Sequence, residues 1–307
     1  MITTIRAPRE ADAEAVTELL RACDVVIFGA PDTDIDDVRA EWTAPGFDLA
    51  RDAWLVETKK GTLHAYAYVS ARAEGSDYDA SIHVRPGDSI PSLAPPLLEC
   101  IEARTLEKTK GAAVDLCFFT AEVEVEMRDL LERSGYASVR SFFRMLIDLG
   151  SAPPKKPSLP PGIEIRPLRI GQEDRDIHAA LEDSFAEHFR HTPRPFEEWW
   201  SLRTHHEKFD PSLFLLAREG DRVAGALTAY DHGDIGFIRE LGVRASWRGR
   251  GLGSALLLHS FQCFRDRSQL RVALGVDAEN ESAIGLYRRA GMSVDSKHDL
   301  LRKRLCS

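Results

Sequence analysis

The amino-acid sequence predicts an α/β protein made of two tandem copies of one domain. Three observations carry that expectation: a proline-rich break near the middle, matching phrases at both ends of each half, and one order of strand and helix signals in both. The break is the run at 150–162, whose five prolines remove amide donors and favour extended backbone. It divides the 307 residues into domains expected at 1–150 and 163–307, with a linker at 151–162. Each half opens on Ile-Arg, Ile5-Arg6 and then Ile165-Arg166, before a charged turn and an apolar-periodic helix, to about Leu20 and near 177–185. Each closes on a helix, a glycine and a last strand, Gly135 before 142–149 and Gly291 before 300–305. From Arg6 to Gly135 is 129 positions and from Arg166 to Gly291 is 125, so the two frames agree within four residues.

In the second half, strands are expected at 213–218 and 223–230 around the turn Gly220-Asp221, and a third at 235–243. A glycine-rich loop follows, then a helix at 253–265 with Leu257, Phe261 and Phe264 on one face, a strand at 271–276 and a helix at 281–290. Asn280 stands where that last helix wants an N-cap and Gly291 where it wants a C-cap. The first half repeats the order. It has a hairpin of 54–57 with 63–71 around Lys60-Gly61, a strand at 80–84, a helix at 93–106, a strand at 113–119 and a helix at 125–133.

Composition excludes several classes. A net charge of −9 argues against general nucleic-acid binding, which needs a surplus of cations against phosphates. No run reaches the roughly 18 apolar residues of a membrane span, and the start of the chain lacks a signal-peptide core. The five cysteines are an odd number, widely spaced, with no C-x-x-C pair, so neither a disulfide framework nor a zinc site is expected and the compartment is read as reducing cytoplasm. His205 and His206 are adjacent, so they diverge on a helix and make no metal site.

The chemistry concentrates after the third strand of the second half. There Val243 leads through Arg244-Ala-Ser-Trp-Arg248-Gly249-Arg250-Gly251-Leu252-Gly253-Ser254 into a helix. Glycines let backbone approach a ligand closely, and the free amides of a helix N-terminus bind phosphate oxygens, with Arg248 and Arg250 adding charge. A nucleotide-triphosphate loop needs a lysine before Ser254 and is excluded. A dinucleotide fold is the better rival, because Asp277 lies at a ribose-contact distance. However, seven residues separate Val243 from Gly251, and Leu256 occupies the third small position of that fingerprint.

The segment Arg248-Gly-Arg-Gly251-Leu-Gly253 resembles the cofactor loop of the GNAT superfamily, Arg/Gln-x-x-Gly-x-Gly/Ala, at every fixed position. A second stretch, Val276 through Asn280, Ala283 and Tyr287 to Met292, resembles that family's later strand, Asn-started helix and tyrosine. Both halves together look like a tandem GNAT protein, an arrangement shared with mycothiol synthases. The resemblance implies two GNAT-like domains, each a mixed, largely antiparallel sheet flanked by helices.

It also implies an acetyl-CoA-dependent N-acetyltransferase, in which a small-molecule or peptide amine attacks the thioester directly. By that resemblance Leu241, Gly242 and Val243 lie beside the thioester and pantetheine arm. Arg248, Gly249, Arg250, Gly251, Leu252, Gly253 and Ser254 hold the pyrophosphate, and Asn280 and Ala283 border the arm. Tyr287 is then the general acid, on a helix face shared with Ala283, Leu286 and Ala290. For the general base Glu240 is the first candidate, since partial burial beside the thioester would raise its proton affinity. Family members often place a base farther upstream, at Phe237 here, and Asp234, His232 or water remain open. Specificity in such folds comes largely from the segment matching 184–210, which is rich in aromatics and histidines, among them Phe185, His188, Trp199 and His206.

The first half lacks both signatures. Its loop reads His83-Val84-Arg85-Pro86-Gly87-Asp88-Ser-Ile-Pro91, the tyrosine place is Leu131 and the asparagine place is Glu124. That half is expected to be catalytically silent. A non-catalytic acyl-CoA sensor of the same fold is the alternative for the whole chain.

Overall fold

A computed structural model describes residues 3–58, 61–72, 77–150, 157–233 and 235–306. Lys60 of the expected first hairpin turn, and 151–156 of the expected linker, lie outside the described residues. The chain forms two compact units, Met1–Phe142 with Ser296–Ser307, and Phe143–Asp295.

The first unit begins with β1 (Thr3–Arg6), α1 (Ala13–Phe28), α2 (Ile35–Trp42) and α3 (Leu49–Asp52). Then follow β2 (Ala53–Thr58), β3 (Leu63–Ala71), β4 (Asp77–Val84), α4 (Ile90–Lys108), β5 (Val114–Ala121), α5 (Val125–Arg133) and β6 (Ala137–Asp148). The second unit runs through β7 (Ile163–Pro167), α6 (Asp174–Phe185), α7 (Phe196–Thr204), β8 (Leu215–Glu219), β9 (Arg222–Asp231) and β10 (Gly236–Val243). It continues with α8 (Leu252–Asp266), β11 (Arg271–Asp277) and α9 (Glu281–Arg289), and the chain ends on β12 (Ser293–Leu305).

In the first unit the strands stand in the order β1-β2-β3-β4-β5, with β12 next, antiparallel to β5 from His298↔Ala121 to Leu305↔Val114. Neighbours are antiparallel except β4 and β5. In the second unit the order is β7-β8-β9-β10-β11, with residues 143–148 of β6 beside β11. Here β10 and β11 are the parallel pair. The compact units thus follow the linear halves except in the last strand of each half. Leu301 and Leu305 of β12 are buried in the core with Leu116 and Phe118 of β5, so the apolar face of that strand is satisfied there.

The repeated opening phrase has a physical reason. In the first unit the Arg6 guanidinium binds Asp12 at 2.7 Å and Glu57 at 2.9 Å, fastening the end of β1 to the start of α1 and to β2. In the second, Arg166 binds Glu173 at 2.6 Å, and Arg218 of β8 joins the same carboxylate at 2.8 Å. The third partner has reversed sign, acid in one copy and arginine in the other, and the fastening survives because the central acid accepts from both cations.

Two apolar layers cover the faces of the second unit's sheet. On one, Ile238, Leu256, Phe261 and Phe264 pack with α8 and α9. On the other, Leu181, Trp199, Phe214, Leu216 and Tyr230 pack with α6 and α7. Along β8, Leu215 and Ala217 face α8 while Leu216 faces α6, the alternation a strand requires. Among the described residues, no helix is long and apolar enough to cross a membrane.

Candidate active site

The site arises where two strands part. β10 and β11 pair only from Gly236↔Val272 to Ile238↔Leu274. Beyond that point β10 stays with β9, from Glu240↔Thr228 to Val243↔Gly225, while β11 runs on to Asp277 without β10. Arg239 is the extra residue where the β9 register shifts, a bulge that coincides with the point where β10 leaves β11. The opening is a cleft of about 450 Å³ with β10 on one wall, β11 and α9 on the other, and the end of α6 across its mouth.

The β10 wall presents backbone. Arg244 donates its amide to the Ala224 carbonyl at 3.0 Å, and bonded and non-bonded pairs alternate along an antiparallel ladder. The amides of Gly242 and Glu240 therefore turn to β9, and the amides and carbonyls of Leu241 and Val243 turn to the cleft. Consistently, Arg248 Nε donates to the Val243 carbonyl at 3.1 Å. Gly242 is required by packing: a Cβ there would stand 2.6 Å from Ser184 Cβ on α6.

The candidate phosphate-binding end is the start of α8. Gly249 and Gly251 have φ of 76° and 86°, the left-handed region that glycine adopts without penalty. Gly251 is the N-cap and no side chain caps the helix. The first amide bonded back into the turn is that of Ala255, to the Gly251 carbonyl at 3.0 Å. The amides from 249 to 254 therefore have no acceptor among the described residues. Orphan donors at the positive end of a fifteen-residue helix suit a pyrophosphate.

Arg248 bridges this loop to the walls, its Nη2 donating to the Ser184 carbonyl at 3.3 Å. Arg250 is placed differently, with its Nη2 on Glu219 at 2.7 Å, outside the cleft lining. Trp247 donates to the same Glu219 at 3.1 Å and lies under the Arg222 guanidinium at 4.4 Å. Leu252 is a buried core residue. Of the loop residues singled out in the sequence, Arg248 and Gly253 line the cleft, whereas Gly249, Arg250, Gly251, Leu252 and Ser254 do not.

α9 supplies the opposite wall. Asn280 Oδ1 accepts the Ala283 amide at 3.0 Å, capping the helix as its place in the sequence demands and leaving its NH₂ group for the cleft. Tyr287 is buried and lines the cleft, and its hydroxyl has no hydrogen-bond partner among the described residues. Burial pushes that hydroxyl up to about 12, so it carries its proton at neutral pH.

Glu240 also reaches the cleft, but not as a lone carboxylate. Oε1 accepts from Arg203 of α7 at 2.9 Å and Oε2 from Thr228 of β9 at 2.8 Å. Each oxygen keeps lone-pair capacity beyond that bond. Neither Phe237 nor His232 lines the cleft, His232 standing instead 6.0 Å from the His206 ring, and Asp234 lies outside the described residues. From the aromatic segment, Phe185 and His188 reach the cleft, while Trp199 is core. Burial, then His191 and Arg248 nearby, lower the His188 pKa. Two participants had no signal in the sequence: Arg239, exposed by the bulge, and Arg203, the partner of Glu240.

The first unit parts at the matching place, where β4 and β5 pair only from Asp77↔Asp115 to Ala80↔Phe118. Its furnishings differ. Asp88 holds His64 at 2.7 Å, a proline enters the first turn of α4, and Glu124 takes the Ala121 amide at 2.7 Å. Leu131 is fully buried, with no proton to give.

Comparison with known proteins agrees with this geometry. The model of the acetyltransferase (GNAT) family matches residues 175–292. A GCN5-related N-acetyltransferase from Sphaerobacter thermophilus superposes with a TM-score of 0.84 at 33% identity, covering 99% of this chain and 96% of that one. The chain belongs to the GNAT family. A tandem GNAT protein from the clavulanic acid biosynthesis pathway shares the fold, at TM-score 0.78 and 13% identity over 99% of this chain and 98% of that one. The mycothiol acetyltransferase of Pseudarthrobacter chlorophenolicus is 33% identical over 172 residues, 54% of this chain. The match spans about half of that relative, 53%. In GNAT terms the splayed strands, the uncapped α8 and the α9 tyrosine all fall inside the matched segment.

Proposed function

We propose that this protein is an acetyl-CoA-dependent N-acetyltransferase acting on a primary amine, with its chemistry in residues 163–307 and residues 1–150 a silent copy. The carrying observation is the coincidence, in one cleft, of an outward-facing β10 edge, an uncapped helix N-terminus and a buried, protonated tyrosine. Bound acetyl-CoA supplies the acyl thioester, and the amides from 249 to 254 with Arg248 hold its pyrophosphate. The Leu241 and Val243 backbone aligns the pantetheine arm as an extra strand would lie, and one of those amides meets the developing oxyanion. Asn280 and Ala283 border the arm.

The amine nitrogen attacks the thioester carbon, the carbon–sulfur bond breaks, and Tyr287 gives its proton to the departing sulfur. The ammonium proton leaves toward Glu240, through its remaining lone pairs, or to cleft water. The acceptor is a small molecule or peptide amine, with mycothiol-related amines among those to test in view of the relatives' name. The cytoplasm, where acetyl-CoA is available, is the proposed compartment.

The test is thiol release from acetyl-CoA by the full chain across amino sugars, polyamines, amino acids and peptides, beside calorimetric acetyl-CoA binding. Amine-dependent release supports the reading. Binding without release from any amine identifies a sensor instead, and no binding refutes the site.

A further inference from the structure

The cleft holds one cation that the acetyl-CoA reading does not use. Arg239, on the β10 bulge, lines the cleft and makes no hydrogen bond or ion pair among the described residues. A bulge sets two residues of one strand against a single partner, so Arg239 and Glu240 lie side by side opposite Thr228. The single negative charge of Glu240 is already matched by Arg203 at 2.9 Å, and Glu240 makes no bond to Arg239 among the described residues. The charged groups facing the Arg239 guanidinium are Arg203 and Arg194, both cations, and Glu240. With Arg203 committed to Glu240, this end of the cleft carries unbalanced positive charge.

That charge is in the wrong place for the pyrophosphate. Arg239 precedes Val243 by four residues, about 13 Å along a strand, and Arg248 docks on the Val243 carbonyl. The cleft's remaining carboxylates, Glu187 and Asp277, stand with His188 and Arg248 at that other end. Arg239 is instead two residues from Leu241, about 7 Å from the backbone that would flank the thioester. An acceptor amine poised over that carbon places its own substituents within reach of the Arg239 fork.

We propose that the acceptor carries an oxyanion, a carboxylate or a phosphate, a few bonds from its amine, and that Arg239 binds it. This rests on the acetyltransferase reading and deepens it by naming the substrate class. A guanidinium fork matches either oxyanion with two parallel bonds, and the uncompensated charge of Arg239 repels acceptors whose second charge is positive, such as polyamines.

The experiment compares matched acceptors on the full chain: glucosamine 6-phosphate with glucosamine, and glycylglycine with its C-terminal amide. The wild type is expected to prefer the anionic member by roughly tenfold or more in kcat/KM, the contribution of one charge-assisted contact. Arg239→Gln should bring that ratio close to one and leave acetyl-CoA affinity unchanged, with Arg239→Lys between the two. The two pairs separate phosphate from carboxylate recognition. A second measurement titrates inorganic phosphate and acetate into CoA-saturated protein, where the α8 site is already filled. At least one should bind several-fold tighter to the wild type than to Arg239→Gln. Neutral acceptors turned over as well as anionic ones, or anion binding indifferent to Arg239→Gln, overturns the proposal. Failure of acetyl-CoA to bind overturns the underlying reading instead.

Discussion

Gly242→Ala tests whether the cleft depends on the close approach of β10 to α6. The added Cβ would stand 2.6 Å from Ser184 Cβ, 2.9 Å from Ser184 Oγ and 3.4 Å from a Leu181 methyl. Carbon atoms in contact prefer about 3.5–4.0 Å, so backbone must give by about 1 Å. Ser184 cannot yield by rotating, since its Cβ is fixed by the helix and its hydroxyl donates to the Ala180 carbonyl at 2.6 Å. Overpacking of this kind costs about 1–3 kcal/mol, which for a unit of this size lowers Tm by roughly 2–10 °C. The Ser184 carbonyl also receives Arg248, so the displacement carries that guanidinium with it and weakens acetyl-CoA binding. Thermal unfolding by circular dichroism and acetyl-CoA calorimetry read the two effects. Ser184→Gly in the Gly242→Ala background removes the opposing atoms and should recover much of the loss, a favourable coupling in the double-mutant cycle. An unchanged Tm for Gly242→Ala, or zero coupling with Ser184→Gly, refutes the packing argument.

Tyr287→Phe should lower kcat by about 10²–10⁴ with little change in Tm, because the hydroxyl it removes has no partner among the described residues. With the Tyr287 pKa raised to about 12 by burial, the acid form persists across the working range, so any alkaline loss of rate below about pH 10 belongs to another group and should keep its midpoint in Tyr287→Phe. Arg248→Ala removes a cation from the α8 N-terminus and two bonds to carbonyls, so calorimetry should register acetyl-CoA affinity reduced about tenfold or more while kcat at saturation changes little. Asp52 is buried in the first unit between Arg104 and Lys108, and Asp52→Ala should cost about 3–5 kcal/mol in urea unfolding by stranding those cations. The Asp48 amide, Lys108 and Arg104 outweigh burial and hold the Asp52 carboxyl below its usual range, so its contribution is complete above the ordinary carboxylate pKa and fades as pH falls through the lower folded value.

Much of the second unit was legible because its signals are local. The helix read at 253–265 is α8 (Leu252–Asp266), and the one read at 281–290 is α9 (Glu281–Arg289), where Asn280 and Gly291 mark both ends. α2 went unread, although Asp34 and Asp37 form a capping box at its start that an acid-for-acid pattern would have flagged. The bulge at Arg239 had no signal, since 235–243 reads as one straight strand and only the β9 register exposes the extra residue. The partner of Glu240 has no local signal, because Arg203 lies 37 residues away in a segment notable for aromatics and histidines. Likewise, each half announces a last strand, but nothing local says that β12 pairs with β5. Such choices are made by long-range registry, and sequence periodicity is silent about registry.

The two copies separate what a fold supplies from what a site requires. Both units part a parallel strand pair after a few residues, β4 from β5 and β10 from β11, so the opening belongs to the architecture. Each then decides whether polar groups facing the opening are satisfied internally or left for a ligand. In the first unit proline deletes an amide at α4, Glu124 occupies the Ala121 amide and leucine fills the place of the tyrosine. In the second, α8 goes uncapped, the Leu241 and Val243 edge of β10 faces open space, and the Tyr287 hydroxyl and the Arg239 guanidinium stay unpaired among the described residues. Hydrogen-bonding groups that face an opening without a protein partner are available to a ligand, whereas groups already bonded within the fold are not. The uncapped α8 and the cleft-facing groups of β10 and α9 are therefore the reason to look for ligand binding in the second unit. On the proposed reading, Tyr287 and Arg239 further divide the ligand in two, a thiol leaving on one side and an anionic acceptor entering on the other.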